Sequence, residues 1–311
     1  MSESRRAGTA AAPGDCGLWL RAVRAFSFTA SLTPVVVGAM LALSHEGRVL
    51  WGLFPLVAGA SVLFHAGTNL VSDARDFTRG LDREGTHGGS GLLVAGLLTP
   101  AAVFRAGVLM FVLGSILGLI MVWFRGPPLL WLGLGGLAGG YFYGGKPFGY
   151  KYHALGDVMV FMLMGPLMVA GSYFVLTGDF HLNVLYVSLP VGCLVTAILC
   201  SNNLRDIVHD SQAGVKTMAN VVGPKAAKIE YFLLVCGAFA GVGAMTITGV
   251  VSPWCLLVLL SLPPAVRNMT MIARTRPDRT TEIASIDVRT ARLHLLFGVL
   301  LSVGLLLSAV R

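Results

Sequence analysis

Residues 51–82 read WGLFPLVAGASVLFHAGTNLVSDARDFTRGLD. Residues 51–71 contain no Asp, Glu, Lys or Arg, and a helix of that length crosses the ~30 Å hydrocarbon core of a membrane. From Ser72 onward, acidic and basic residues follow one another within a few positions. The stretch therefore predicts a membrane-spanning helix that ends in a charged cluster.

The composition of the whole chain agrees with this prediction. The 311 residues are 55% hydrophobic and 12% charged, about half of the ~25% charged share of soluble domains, and the mean hydropathy is +0.76. This composition excludes a disordered chain and argues against a water-soluble enzyme. Helices that are apolar all round need lipid or other helices around them, so the sequence predicts an all-α, polytopic membrane protein.

Further apolar segments predict nine transmembrane helices in total. Residues 1–17 form a polar N-terminal arm without the apolar core of an export signal, and residues 18–311 are expected to form a single transmembrane domain. The expected spans are residues 26–44, 51–71, 101–123, 128–144, 155–177, 184–203, 229–249, 252–272 and 291–310.

The basic residues provide an independent test of this topology. With nine spans, all of the 23 Lys and Arg residues except Arg48, Arg125 and Arg311 fall on one side. Basic residues concentrate on the cytoplasmic side of a membrane. We therefore expect a multi-pass protein of the inner (cell) membrane with a cytoplasmic N terminus, and we interpret the net charge of +8 as topology. Nucleic acid is not expected as a partner.

Carboxylates gather in two clusters on the same basic side. Asp73, Asp76 and Asp82 follow the second span, and Asp206 and Asp210 follow the sixth. Carboxylates at a membrane boundary are unfavourable unless they pair, bind metal or face water. One interpretation is a pair of solvated loops in which neighbouring arginines are surface partners. The symmetry of the two clusters favours a shared site.

The spacing within each cluster indicates a metal site. Asp206 and Asp210 share a helix face at i, i+4, as do Ser72 and Asp76, and Asp82 can return through a turn beyond Gly80. Oxygen ligands from two helices suit Mg²⁺, which completes its coordination with water and substrate phosphate. Basic side chains nearby can hold the remaining phosphate oxygens, so we expect a diphosphate ligand.

Three blocks carry a family resemblance: residues 69–82, residues 151–157 (KYHALGD) with Gly165-Pro166, and residues 202–217 (NNLRDIVHDSQAGVKT). Together they resemble the UbiA superfamily of intramembrane aromatic prenyltransferases, in particular the dihydroxynaphthoate polyprenyltransferases of menaquinone biosynthesis. The resemblance extends from Arg24 to about residue 245. It implies a nine-helix bundle around a central cavity, closed by a cytoplasmic cap that carries both acidic motifs.

The resemblance also implies the chemistry of the site. Two Mg²⁺ ions would hold an isoprenyl diphosphate, whose ionisation leaves an allylic cation that an aromatic acceptor attacks. Ser72 stands where the family motif commonly has Asn, so the metal geometry there is in question. The implied catalytic residues are Asp76, Asp206, Asp210 and Lys151; the metal ligands are Ser72, Asp73, Asp76, Asp82, Asp206 and Asp210; the diphosphate ligands are Arg205, Asn203, Lys151, Arg24 and Lys216.

The acceptor is expected to be 1,4-dihydroxy-2-naphthoate, prenylated with loss of its carboxylate. Tyr143, Tyr150, Tyr152 and Asp157 are candidates for orienting or deprotonating it, although tyrosines at this level also serve as membrane anchors. Hydroxybenzoate, haem or a lipid glycerol phosphate are alternative acceptors. A secondary transporter is the alternative from another functional class. Transporters place polar groups near the membrane midplane, whereas the two carboxylate clusters of this chain lie on its basic side. Membrane lipid is an expected partner, and the oligomeric state stays open.

Overall fold

The computed structural model describes residues 15–46, 49–83, 89–276 and 280–310. The described chain is helical apart from its turns and one isolated bridge between His153 and Lys216. The expected arm, residues 1–17, lies largely outside the described residues. The α-helices are α1 (Asp15–Ala22), α2 (Thr29–Glu46), α3 (Phe54–Thr78), α4 (Pro100–Arg125), α5 (Pro127–Phe142), α6 (Gly156–Met162), α7 (Met168–Thr177), α8 (Leu182–Gln212), α9 (Met218–Ile247), α10 (Leu262–Arg274) and α11 (Ile286–Ala309).

Local sequence sets several helix boundaries. Pro100 and Pro127 begin α4 and α5, where a missing N–H costs nothing because the first N–H groups of a helix have no partner within it. The hydroxyls of Thr99 and Thr217 accept the amide N–H groups of Ala102 and Asn220 at the starts of α4 and α9. These caps satisfy N–H groups that have no partner within the helix.

Eight segments of the described residues are long and apolar enough to cross a membrane. They include the continuous segments Gly156–Thr177, where Pro166 lies in a π turn between α6 and α7, and Pro253–Arg274, where a 3-10 segment precedes α10. The expected span at residues 128–144 corresponds to α5, which has 16 residues and a length of about 24 Å. The count of nine spans therefore stays a prediction.

Small residues let the helices approach closely. The bundle places α3 against α4, α8 against α9, and α11 beside both α2 and α8. A Cβ atom on Gly107 of α4 would lie 2.9 Å from Val71 of α3, and a Cβ on Gly165 would lie 2.6 Å from the Cα of Gly192 in α8. In lipid, such close backbone contacts supply much of the association between helices.

One end of the bundle is organised by α3 and α8. These helices continue beyond their apolar parts to carry Asp76 and Asp206, and we refer to this end as the acidic end. The connection between α5 and α6 lies there, because the Ala154 amide donates to the Lys216 carbonyl at 2.6 Å. His209 of α8 lies 3.4 Å from the Leu81 carbonyl that follows α3. Three separate segments thus converge on one place.

We expect Gly165→Ala to destabilise the bundle. The added Cβ would meet the backbone of Gly192, which a rotamer change cannot relieve, and overpacking of this kind costs about 1–3 kcal/mol. Thermal unfolding in detergent should show a lower midpoint. Gly118→Ala in α4 is the matched control because its Cβ meets no atom within 4 Å; equal midpoints for the two variants would contradict the close-contact explanation.

Candidate active site

A polar cavity of about 120 Å³ lies at the acidic end, between the last turns of α3 and α8. The α5–α6 connection and the residues that follow α8 complete its wall. The described residues contribute both acidic motifs to this one space, as their spacing predicts. The carboxylates that line it are Asp76, Asp82, Asp157, Asp206 and Asp210.

Asp76 is the most heavily contacted of these carboxylates. Its Oδ2 accepts a hydrogen bond from Lys151 Nζ at 2.5 Å, and its Oδ1 accepts one from Tyr152 Oη at 2.7 Å. The same ammonium of Lys151 donates to Ser72 Oγ at 2.6 Å, and that hydroxyl lies 3.4 Å from Asp76 Oδ2. Ser72, Asp76 and Lys151 therefore form one contact unit, although they come from two segments of the chain.

Asp82 returns to the cavity through the turn at Gly80. That glycine has φ +71°, a conformation that other residues rarely adopt, and the Leu81 amide donates to the Asp76 carbonyl at 2.9 Å. Burial, together with the nearby negative charges of Asp76 and Asp73, raises the pKa of Asp82 to about 6. Asp82 therefore lies where negative charge accumulates, which suits a divalent cation.

Asp73 does not line the cavity, contrary to its expected role as a metal ligand. Its side chain is buried, and it accepts hydrogen bonds from the guanidinium of Arg24 and from the Ser90 amide at 2.9 Å. Asp73 thus fixes Arg24, which does line the cavity. The carboxylates of the two acidic motifs that line the polar cavity are those of Asp76, Asp82, Asp206 and Asp210.

Arg24 has an unusual backbone. It is a non-glycine residue in the left-handed region, with φ 55° and ψ 51°, which costs of order 1–3 kcal/mol. The Ser27 amide donates to its carbonyl at 2.8 Å, and Asn69 Nδ2 donates to the preceding Val23 carbonyl at 3.0 Å. These contacts hold the guanidinium at the cavity wall.

Arg205 also departs from expectation. It does not line the cavity, because its N–H groups are taken by Asp206 at 2.8 and 2.6 Å, by Asp287 at 2.6 Å and by the Asn202 side chain. The expected grip on a diphosphate is therefore corrected: Arg205 lies behind the two cavity residues Asp206 and Asn202 and contacts both.

The remaining expected residues are divided between the cavity and its surroundings. Asn203 lines the cavity and donates to Asp157 Oδ2 at 3.1 Å. The Lys216 side chain is exposed and does not line the cavity; the residue contributes its backbone carbonyl, which accepts from Ala154. Tyr143 lines the cavity, whereas Tyr150 donates its hydroxyl to the Gly139 carbonyl at 2.6 Å.

A larger, apolar cavity of about 350 Å³ adjoins the polar one. The two share Arg24, Tyr143, Leu199 and Asn202 as wall residues. Apolar side chains and glycines from α2 to α8 form most of the larger cavity, while His65, hydrogen-bonded to Ser27 and Ser31, provides a polar patch. The site therefore combines a charged compartment with an apolar compartment that extends into the bundle.

Sequence reasoning missed two contributors. Asn202 was part of a recognised block without an assigned role, and it lines both cavities. Asp287 belongs to neither acidic motif and was not predicted as a site residue, although it is an acidic residue beside the last apolar segment on the basic side of the predicted topology. In the sequence, that position was the only signal that Asp287 contributes to the site, because its partner Arg205 is 82 residues away in the chain.

Comparisons with known sequences identify the family. Residues 31–286 match the UbiA prenyltransferase family. The chain is 32% identical over 294 residues to the 1,4-dihydroxy-2-naphthoate octaprenyltransferase of Bacillus subtilis (strain 168), covering 94% of this chain and 93% of that protein. It is also 32% identical over 296 residues to UbiA prenyltransferase domain-containing protein 1 of Homo sapiens, covering 94% and 84% of the two chains.

Solved structures share the fold. A UbiA homolog from Aeropyrum pernix K1 superposes with a TM-score of 0.68 at 16% identity, covering 92% of this chain and 98% of that one. A UbiA homolog from Archaeoglobus fulgidus bound to GPP and Mg²⁺ gives 0.60 at 14%, covering 92% and 99%. The predicted all-α, UbiA-type fold is confirmed. The chain is a multi-pass membrane protein, and it belongs to the UbiA prenyltransferase family.

Proposed function

We propose that this protein transfers a polyprenyl group from an isoprenyl diphosphate to 1,4-dihydroxy-2-naphthoate, with loss of the acceptor carboxylate, in menaquinone biosynthesis. The observation that supports this most is the junction of the two cavities. Four carboxylates from two motifs face the polar one, and the apolar one begins at shared wall residues. A ligand with a charged head and a long apolar tail fits this division.

The donor set suits Mg²⁺. Asp76 and Asp82 would contribute from the first motif and Asp206 and Asp210 from the second, and hard oxygen donors of this kind are the ligands Mg²⁺ prefers. When bound, two Mg²⁺ ions would neutralise charge that develops on the departing diphosphate. The A. fulgidus homolog of the same fold is a GPP and Mg²⁺ complex, which supports the assignment by analogy.

The protein's own cations complete the diphosphate site. Arg24 and Lys151 are the Lys and Arg residues of the described chain that line the polar cavity. Their N–H groups would hold diphosphate oxygens, and the amide of Asn203 can donate to another. Charge-assisted contacts of this type strengthen as negative charge builds up on the leaving group. Lys151 exchanges its present contact with Asp76 for the substrate in this proposal.

The transfer step breaks the bond between the terminal allylic carbon and the diphosphate oxygen, which keeps the electron pair. The electron-rich ring of the acceptor then forms a carbon–carbon bond to that allylic carbon. Because the acceptor reacts as a carboxylate, the net loss of CO₂, with no net loss of a proton, restores the aromatic hydroquinone. The apolar walls of the larger cavity would exclude the water that would otherwise capture the allylic cation. The acceptor-side candidates that line the polar cavity are Tyr143, Tyr152 and Asp157.

The B. subtilis relative, a 1,4-dihydroxy-2-naphthoate octaprenyltransferase, supports the naphthoate acceptor. The chain has the same 32% identity to the human relative, so the degree of identity does not distinguish between the two relatives.

The proposed location is the inner membrane with the acidic end and the N terminus in the cytoplasm, because the basic residues concentrate on that side. Residues 18–311 would form one catalytic domain.

We expect the purified protein to form prenylated product from a polyprenyl diphosphate and 1,4-dihydroxy-2-naphthoate when Mg²⁺ is present, and to stop when EDTA removes the metal. Diphosphate release and lipid product are followed together. Hydroxybenzoate and a lipid glycerol phosphate are tested in parallel. If no acceptor gives a metal-dependent product, the enzyme assignment is contradicted. If only another acceptor gives product, the proposed substrate is corrected.

Loss of one carboxylate from either acidic motif should strongly reduce turnover. We expect Asp76→Asn and Asp206→Asn each to lower the rate by about 10²–10³-fold, because each removes a carboxylate that would hold the Mg²⁺ needed to neutralise the departing diphosphate. Asp179→Asn is the control, since Asp179 is exposed beyond the other end of α7. A near-normal rate in a folded Asp76 or Asp206 variant would show that the two motifs do not form one site.

Narrowing the apolar cavity should discriminate between donors by length. Gly136 lines that cavity, and a Cβ there would lie 3.6 Å from Leu167. We expect Gly136→Leu to raise the KM for a long polyprenyl diphosphate by about 10-fold while a five-carbon donor keeps its KM. Gly118→Leu adds the same side chain outside the cavity. Equal changes for both donors would place the prenyl chain elsewhere.

A further inference from the structure

The start of α11 meets the second acidic motif through a single carboxylate. Asp287 Oδ2 accepts a hydrogen bond from Arg205 Nη1 at 2.6 Å, and its Oδ1 accepts the Val288 amide at 2.8 Å. An acidic residue in the first turn of a helix is favourable because of the helix dipole. Both carboxylate oxygens are therefore occupied, and the side chain has a defined orientation.

Arg205 links this carboxylate to the cavity. Its side chain is 6% exposed, and its Nε and Nη2 donate to the two oxygens of Asp206 at 2.8 and 2.6 Å. Nη2 also donates to the Asn202 side chain. Because the guanidinium is planar and its N–H groups point in fixed directions, three acceptors together determine the plane in which it lies. That plane in turn fixes the Asp206 carboxylate.

Asp287 also affects the charge of the site. If Asp206 were the only carboxylate partner of the buried Arg205, the two side chains would attract each other strongly. The attraction of the Asp206 carboxylate for a metal ion would then be weaker. With Asp287 as a second partner, the positive charge of Arg205 is shared between two carboxylates. Loss of the Asp287 charge would leave an additional positive charge beside Asp206, which lines the polar cavity. A divalent cation would then bind less tightly.

We infer that Asp287 is a positioning residue that acts through Arg205 to orient Asp206 and preserve its charge for divalent-cation binding. The inference rests on the proposed metal site. Residues behind metal ligands typically change metal affinity by 10–100-fold when they are mutated. The expected effect therefore falls mainly on metal affinity; because Asp287 also lines the apolar cavity, the donor KM at saturating Mg²⁺ is measured as well.

The test compares Asp287→Asn, which keeps the shape and removes the charge, with Asp287→Glu, which keeps the charge. We expect Asp287→Asn to raise the Mg²⁺ concentration for half-maximal product formation by about 10–100-fold, with the donor KM at saturating Mg²⁺ within about 2-fold of wild type. Mn²⁺ binding, followed by electron paramagnetic resonance without turnover, should weaken by a similar factor. Asp287→Glu should recover part of both losses.

Glu46→Gln is the matched control. Glu46 accepts hydrogen bonds from Tyr173 and His181 at the end of α2 away from the acidic end, so this variant also removes one networked carboxylate charge. It should leave Mg²⁺ and Mn²⁺ affinity unchanged. Circular dichroism and thermal unfolding check that each variant is folded.

Unchanged Mn²⁺ affinity in folded Asp287→Asn would overturn the inference, and so would an equal loss in Glu46→Gln. If Asp287→Asn does not fold, the Asp287→Glu variant is used instead. A folded Asp287→Glu protein that binds Mn²⁺ with the same affinity and the same spectrum as wild type would show that the placement of this charge is unimportant. Wild-type protein that binds Mn²⁺ but forms no product would contradict the proposed function and leave the role of Asp287 supported.

Discussion

Carboxylates in an apolar bundle repel one another and lose the solvation of water, and much of the structure around the acidic end offsets that cost. Asp76 is contacted by an ammonium and a phenol, and Asp73 by a guanidinium and a backbone amide. Asp206 accepts from Nε and Nη2 of a second guanidinium. Asp82 and Asp210 line the same cavity, and within the described part of the chain no Lys or Arg side chain forms an ion pair with either. The site is therefore stabilised in part and leaves negative charge available for a ligand cation.

The two compartments separate two physical tasks. In the proposed reaction, the polar cavity would hold the diphosphate, and the apolar cavity would keep water away from the allylic cation. Shared wall residues such as Tyr143 and Asn202 lie at the boundary. Helices that are apolar all round provide the apolar walls of the second compartment. Glycines in α5 leave space for it beside larger neighbouring side chains.

Much of this arrangement could be predicted from the sequence, since the signals are local. Hydropathy marks the spans, and the i, i+4 spacing of Asp206 and Asp210 places them on one helix face. The roles of Asp73 and Arg205 could not be predicted in this way. Their partners Arg24 and Asp287 are 49 and 82 residues away, and nothing in a local pattern distinguishes a carboxylate that faces a metal from one that holds an arginine. The bounds of α5, Pro127–Phe142, differ from the predicted span at residues 128–144 by only one residue at the start and two at the end.

The contact between Arg205 and Asp287 has a consequence for biosynthesis. Membrane proteins are made from the N terminus, so both acidic motifs enter the bilayer before α11 does. Until α11 arrives, the buried guanidinium of Arg205 lacks its second carboxylate partner, and Asp206 is left as the main counter-ion. The contacts that orient Asp206 in the proposed metal site would then be complete only after the last helix has been inserted.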